Sequence, residues 1–349
     1  MINNSFFSTE ILRWFRENGR DLPWRETKDP YAIWLSEIIL QQTRIVQGWE
    51  YWERFMQTYP KVEDLAAASE DDVLKLWQGL GYYSRARNLH TAAKQIVALG
   101  DFPNTLEGIK SLKGVGDYTA AAIGSFAFDI PAAVVDGNVY RVLSRYFGID
   151  TPINSTQGKK EFAALAQSLL PASDAASYNQ GMMDFGAIQC TPQSPKCLLC
   201  PLAETCEALR SGRVEELPVK NKTVKVKTRH LSYIYIRCKS SVADGAGNSE
   251  PMVAIHRRGE GDIWQGLWEP YNVSDVKELP SFVKNPILLA KDVKHVLTHR
   301  ILLADFYLLE TETCPQLPDD YIWIKESEIE DYGVPRLIEI MLEKINPAE

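Results

Sequence analysis

The sequence predicts a protein of two domains, mainly α up to about Arg210 and α/β beyond it. Three observations carry this reading. A length of 349 residues exceeds what one compact core usually holds. The first part reads as helices separated by short turns, with few β-branched runs. Past a basic stretch, the apolar pattern shifts towards period two. The expected boundaries are a first domain over 1–212, a linker over 213–229 and a second domain over 230–349.

Composition bounds function loosely. A hydrophobic share of 45% is ordinary for a globular chain, and a net charge of −8 argues against coating nucleic acid by bulk electrostatics, though not against local contact. The opening MINNSFFSTEILRWFRENGR has no basic start followed by an apolar run and a small-residue cleavage site. No uncharged apolar stretch is long enough to span a bilayer. A reducing cytoplasm is the expected compartment, without a membrane partner.

In the first half, Asp29 can cap a helix that begins with Pro30. The segment PYAIWLSEIIL is apolar nearly all round, with Ser36 and Glu37 as its polar members. Such a helix is buried, and a buried carboxyl needs a partner or a task. Burial raises its pKa, as a general acid requires, while a second carboxylate in a more polar place stays ionised. The plain alternative for Glu37 is a buried ion pair with an arginine such as Arg25.

The segment SLKGVGDYTAAAIGSFAF puts Gly114, Val115 and Gly116 between two helical patterns, a helix-hairpin-helix signal. The amides of Gly114, Val115 and Gly116 at the start of the second helix are expected to face a phosphate, helped by the helix dipole. Read alone, an ordinary helix–helix turn is the simpler account. Asp136, in VVDGNVYRVLSR, stands at a natural N-cap, and capping is again the simpler account of that residue alone.

Four of the six cysteines, Cys190, Cys197, Cys200 and Cys206, fall within seventeen residues. That clustering favours a metal site over disulfides. Four thiolates suit a structural zinc or a [4Fe-4S] cluster, and the single CxxC pair leans towards iron and sulfur. Cys238 and Cys314 are expected to pack as small apolar residues.

The stretch SGRVEELPVKNKTVKVKTRH, with Lys220, Lys222, Lys225, Lys227 and Arg229, reads as an extended basic linker. It is either a solvated connector or a strap along phosphates. Beyond it, LSYIYIRC, PMVAIHRR and RILLADFYLLE are strand-like, DGAGNS is a turn, and VPRLIEIMLEKI is an amphipathic helix.

The motifs LPWR, SEIILQQT, GLGYYSRARN, LKGVGDYTA, VDGNV, NQGMMDFGA and the cysteine spacing occur in the order seen in adenine DNA glycosylases of the MutY type. The chain resembles that family over almost its whole length. Endonuclease III enzymes share the hairpin and cysteine loop, but not SEIILQQT or the long second domain. The resemblance implies a helix-hairpin-helix glycosylase domain with a [4Fe-4S] loop, followed by a Nudix-like domain. It implies a monofunctional, base-flipping enzyme that removes adenine mispaired with 8-oxoguanine or guanine. The partner is double-stranded DNA carrying such a mispair, and the protein is expected to be a DNA-associated monomer.

On these motifs, Glu37 matches the family's acid and Asp136 the carboxylate that steadies the sugar cation, with Asn138 supporting it and Tyr118 as a polar pocket residue. Trp24, Arg25, Leu40 and Gln180 match pocket positions. Gln42 and Tyr82 resemble residues that wedge into the duplex and contact the opposite base, with Thr43 and Leu80 beside them. Trp34, Trp49, Trp52 and Trp77 are expected to pack in the core. Related bifunctional enzymes carry a lysine where this chain has Tyr118, so simple hydrolysis without efficient strand cleavage is expected. An FSH triplet reads the oxidised base in the family; here Leu297, Thr298 and His299 stand in its place. No glutamate-rich Nudix helix follows GLWEPY, so no pyrophosphatase activity is expected. Two alternatives remain: a bifunctional pyrimidine-lesion glycosylase of the endonuclease III type, and a catalytically silent lesion-binding protein.

Overall fold

The computed structural model describes residues 4–221, 226–239, 250–274 and 279–346. Lys222 and Lys225 of the basic stretch and the DGAGNS turn lie outside the described residues. The helices, in chain order, are α1 (Asn4–Asn18), α2 (Pro30–Ile39), α3 (Ile45–Thr58), α4 (Val62–Ala67), α5 (Glu70–Leu76), α6 (Ser84–Leu99), α7 (Leu106–Lys110), α8 (Asp117–Phe128), α9 (Gly137–Phe147), α10 (Thr156–Leu169), α11 (Ala175–Asp184), α12 (Glu207–Arg210) and α13 (Arg336–Ile345). The strands are β1 (Lys227–Cys238), β2 (Met252–Arg257), β3 (Trp268–Glu269), β4 (Tyr271–Asn272), β5 (Ile287–Val296), β6 (Arg300–Thr311) and β7 (Tyr321–Lys325). By its internal contacts the chain forms two units, Met1–Ala66 with Thr91–Lys222, and Ala67–His90 with Thr223–Glu349. No described helix is long and apolar enough to cross a membrane.

The first unit is helical. Asp29 caps α2 by accepting a hydrogen bond from the Tyr31 amide at 3.0 Å, Pro30 occupies the first position, and every residue from Tyr31 to Ile39 is buried. The helix therefore carries Glu37 inside the fold. One core gathers Phe7, Ile11, Val142, Leu143, Phe162 and Phe185, and a second joins Ile33 of α2 to Ala121, Ala122 and Phe126 of α8. The hairpin between α7 and α8 turns at Gly114, whose φ of +79° only glycine adopts without strain. Past α11 the chain winds into a π-helical turn, Phe185–Gln189. There Gly186 permits close approach, since a Cβ would stand 2.5 Å from the Asn138 Cβ and 2.9 Å from the Asn138 carbonyl oxygen.

The second unit centres on a seven-stranded mixed sheet of order β3-β2-β1-β6-β5, with β4 beside β1 and β7 beside β2. Among the described strands only β1 and β6 pair in parallel, in unbroken register from Lys227↔Arg300 to Cys238↔Thr311. The other pairs are antiparallel. Leu337, Ile338 and Met341 turn one face of α13 into the core formed with Leu231, Tyr233, Phe306 and Ile255. Strands β5 and β6 form a hairpin whose last pair is Val296↔Ile301, leaving Leu297, Thr298 and His299 near its tip.

Two expectations are corrected. Cys238 and Cys314 do not pack as separate apolar side chains but form a disulfide, with their Cα atoms 5.3 Å apart. Cys238 ends β1 opposite Thr311, which places the chain leaving β6 within reach of it. The basic stretch is not an extended connector at its described ends. Val219 accepts a hydrogen bond from the Ile153 amide, and Leu217, 2% exposed, accepts one from Arg145, while Lys227 and Arg229 already belong to β1. Arg229 pairs with Asp262 at 2.6 Å.

The bridge closes a loop of 76 residues in sequence separation. Cys314→Ser is expected to lower the stability of the oxidised second unit by about 2–4 kcal/mol. A reductant should lower the melting temperature of the parent in the same way. Equal melting temperatures for parent and variant without reductant would disprove the bridge.

Candidate active site and cysteine loop

In the first unit, a cavity of about 50 Å³ is lined by Ile33, Ser36, Glu37 and Leu40 from α2 and its end, by Trp24 and Arg25 from the short 3₁₀ turn Pro23–Arg25, by Gln180 and Met183 from α11, and by Arg20, Leu22, Ile45 and Phe126. The structure thus brings together Glu37, Trp24, Arg25, Leu40 and Gln180. Trp24 packs edge-on against Trp49 and Trp52, with centroids 5.9 and 5.7 Å away. Trp34 and Trp77 are fully buried.

Glu37 is 6% exposed. Its Oε2 accepts a hydrogen bond from the Tyr118 hydroxyl at 2.8 Å. Burial pushes the carboxyl up to about 7, and Asp136 adds to the rise, while the Tyr118 bond and Arg25 oppose it. The same environment raises the Tyr118 hydroxyl well above its usual range, by burial first and then by Glu37 and Asp136. The pair is a donor hydroxyl bonded to a carboxyl able to hold its proton near neutral pH.

The ion pair between Glu37 and Arg25 does not form. Arg25 instead donates to Asp184, from Nη1 to Oδ2 at 2.9 Å and from Nη2 to Oδ1 at 2.8 Å. Asp184, the last residue of α11, is fully buried.

Asp136 caps α9, its Oδ1 accepting from the amides of Asn138 and Val139, both at 2.8 Å. Its Oδ2 accepts from Asn138 Nδ2 at 2.7 Å. The residue that caps α9 is thus also one whose charge acts on Glu37. The more polar setting expected of the second carboxylate is not found: burial raises Asp136 despite these donors and Arg141, which pull the other way.

Sequence reading missed Arg141, Arg145, Asn179 and Asp184. Arg141 donates from Nη2 to Asn138 Oδ1 at 2.8 Å and from Nε to the Cys190 carbonyl at 2.7 Å, tying the start of α9 to the cysteine loop. Buried Asn179 donates to Ser125 and to the Ala132 carbonyl and accepts from the Val134 amide, fixing the approach to Asp136. The available signal was NQGMMDFGA, in which Gln180 and Asp184 stand one turn apart on one helix with Asn179 adjacent to Gln180.

In the hairpin, Val115 is 8% exposed and its amide is already engaged by the Leu112 carbonyl at 3.1 Å, so the expected phosphate contact does not include the Val115 amide, while a Cβ added at Gly116 would meet nothing within 4 Å. Gln42, with φ of +58°, is exposed just past α2, and Thr43 is half-buried beside it.

The cysteine loop encloses a cavity of about 30 Å³ lined by Cys190, Cys197, Cys200 and Cys206 together with Arg145, Gln189 and Lys196. Among the described residues, no three of His, Cys, Asp or Glu converge to hold a single metal ion. A tetrahedral zinc would need its sulfurs about 3.8 Å apart. Four thiols spread round one cavity fit a cluster instead. Burial and the neighbouring cysteines push Cys200 up to about 11 and raise Cys197 and Cys206, so these thiols need a cation to become thiolates. Arg145, 3% exposed, brings Nη1 to 3.4 Å from Cys190 Sγ.

In the second unit, Tyr82 has φ of +48° and is 46% exposed, and its hydroxyl bonds Thr298 Oγ1. Leu80 is 8% exposed, its side chain turned inward. A cavity of about 650 Å³ is lined by both residues, by Leu297, Thr298 and His299, and by Trp264, His295 and Arg336, among others. Leu297 packs on the edge of the sheet core, while Thr298 and His299 are exposed.

Residues 35–171 match the HhH-GPD superfamily of base excision DNA repair proteins, residues 190–206 the iron-sulfur binding domain of endonuclease III, and residues 246–344 the NUDIX domain. A hairpin-bearing helical unit with a cysteine loop and a buried carboxyl defines the chain as a base-excision DNA glycosylase, with a [4Fe-4S] cluster held by the loop. It is 31% identical over 350 residues to the adenine DNA glycosylase of Buchnera aphidicola subsp. Schizaphis graminum, covering 97% of this chain and 98% of that one. It is 42% identical over 226 residues to the adenine DNA glycosylase of Mus musculus, covering 61% of this chain and 44% of that one. Among solved structures, a thermostable thymine-DNA glycosylase is similar with a TM-score of 0.56 and 34% identity over 60% of this chain and 97% of that one. The chain belongs to the adenine DNA glycosylase family, the MutY type.

The shift at Glu37 is also a statement about stability. Its folded pKa is raised from 4.5 to about 7, so the folded state binds the proton more tightly than the unfolded one. Its contribution is complete below pH 4.5 and is lost as pH rises through 7. Glu37→Gln, which keeps the shape without the charge, should match the parent in acid and exceed it by about 3 kcal/mol at most above pH 8. Urea titrations across that range would show it, and a constant difference at every pH would refute the shift.

Proposed function

We propose that this enzyme hydrolyses the N-glycosidic bond of adenine mispaired with 8-oxoguanine, and also with guanine, in double-stranded DNA, acting as a DNA-associated monomer of the cytoplasm. The observation that carries the reading is the Tyr118–Glu37 pair at 2.8 Å with its carboxyl held near pH 7, beside a capped Asp136. A general acid works best when its pKa lies near the working pH. Adenine is flipped out of the stack into the cavity bounded by Trp24, Arg25, Leu40 and Gln180. Glu37 protonates N7 of the base, Tyr118 orients that carboxyl, the C1′–N9 bond breaks as positive charge grows on the sugar, and a water adds at C1′ and returns its proton to the ionised Glu37.

Asp136 answers that charge. Its cap donors and the N-terminal end of α9 favour its ionised form, and a cation beside it favours ionisation further, while Asn138 fixes its orientation. The logic is that of two carboxylates in glycoside hydrolysis. The amides of Gly114 and Gly116 hold a phosphate without reading sequence, with Val115 packed inward beside them. Gln42, Thr43, Leu80 and Tyr82 serve the opposite base and the gap left by adenine, with Leu80 contributing packing. Leu297, Thr298 and His299 read 8-oxoguanine, with the Thr298 hydroxyl set by Tyr82. Tyr118 stands where related bifunctional enzymes carry a lysine, and its hydroxyl is committed to Glu37, which supports a monofunctional reaction.

Duplexes carrying adenine opposite 8-oxoguanine, guanine or thymine should yield strand breaks at adenine only after hot alkali, with the 8-oxoguanine pair cut fastest. Glu37→Gln should reduce the rate at least about 100-fold. Breaks without alkali together with borohydride trapping would favour the endonuclease III alternative, and no break at all would favour the silent binder. Thr298→Ala should narrow the preference for 8-oxoguanine over guanine by about 5- to 30-fold while leaving the rate on the guanine mispair within about twofold. An unchanged preference would remove Thr298 from the readout.

A further inference from the structure

The buried Asp184 cluster is not used by the chemistry above, yet it forms part of the wall behind that chemistry. Asp184 accepts from the Arg20 amide and from Arg20 Nε, both at 2.9 Å, from Arg20 Nη2, and from both terminal nitrogens of Arg25. Both guanidiniums line the cavity that Glu37 lines. Arg25 is further fixed by donating from Nη1 to the Arg20 carbonyl at 2.9 Å and by lying 5.6 Å over the Phe15 ring. The two arginines together hold Asp184 below the usual carboxylate range in spite of its burial. It therefore stays anionic, and the trio carries one net positive charge instead of two.

We propose that Asp184 is a positioning residue for base removal: by clamping Arg20 and Arg25 it cancels one of their charges and fixes both guanidiniums in the wall that Glu37 shares. The proposal rests on the reading of Glu37 as the acid. The charged and titratable groups around Glu37 are Tyr118 on α8, Asp136 at the start of α9, Arg20 and Arg25 ahead of α2, and Asp184 at the end of α11. Of these, Arg25 favours the ionised carboxylate and Asp136 the protonated acid. Stripping the charge from Asp184 leaves two uncompensated cations in the wall, which pull the proton off Glu37 and free Arg25 to turn towards it. Removing Arg20 does the reverse.

The test is the pH dependence of single-turnover adenine release at saturating enzyme. The rate should fall as pH rises through the Glu37 pKa, because the protonated form is the active one. In Asp184→Asn that fall is expected about one pH unit lower, giving a loss of about tenfold at pH 8 and of less than about twofold in acid. Arg20→Met should move it upward, and Asp184→Glu should return it towards the parent. A merely structural role for Asp184 lowers the rate equally at every pH, and that result overturns the proposal. Should Asp184→Asn fail to fold, Arg20→Met decides alone, and no upward move overturns it. A parent rate that does not fall with rising pH overturns both this proposal and the acid role of Glu37. A fall present in the parent but unmoved in the variants overturns the role of Asp184 only.

Discussion

The burial of one carboxyl inside an apolar helix is the constraint on which the first unit depends. Glu37 occupies a helix whose nine residues from Tyr31 to Ile39 are all buried, where an ionised carboxylate would cost several kcal/mol. Its surroundings meet that cost with a hydroxyl rather than a cation. The Tyr118 bond satisfies one oxygen, and the nearest arginine is engaged by Asp184. A salt bridge to Arg25 would have been the simpler way to bury the acid. It would also have fixed Glu37 as an anion, where burial and the Tyr118 hydroxyl leave its carboxyl at about 7.

Asp136 shows the same economy in another form. A helix cap is a local device that nearly any aspartate at that position provides. Here the cap donors also favour the ionised form of a carboxylate that acts electrostatically on Glu37, and Arg141 ties its neighbour Asn138 to the carbonyl of Cys190. The cysteine loop is thereby joined by hydrogen bonds to the start of α9. Arg145 adds a second tie, reaching Cys190 Sγ and the carbonyls of Thr191 and Pro192.

Legibility in the sequence followed the range of the interaction. The cap of α2, the glycine turn before α8, the period-two runs of the sheet and the cysteine spacing are set by residues a few positions apart, and each could be read directly. Partners distant in sequence could not. Asp184 meets Arg20 and Arg25 across 164 and 159 positions, and the bridge from Cys238 to Cys314 spans 76. The short strands β3 and β4 have two residues each, too few for any period to show. The place of Gln180 in the Glu37 cavity and the bond of Thr298 to Tyr82 had no local signature, because a lone amide or hydroxyl carries none.

The division of the chain has a consequence for its synthesis and dissection. Residues 67–90 belong by their contacts with the sheet-bearing unit, where Arg257 bonds Glu70 at 2.9 Å and Tyr82 bonds Thr298. The backbone therefore passes from one unit to the other three times. On the ribosome, α5 and the turn bearing Tyr82 emerge more than a hundred residues ahead of the strands that complete their setting, and must wait for them. A fragment cut after Lys222 is accordingly not a free-standing domain minus an accessory, because it keeps a piece whose partners have been left on the other side of the cut.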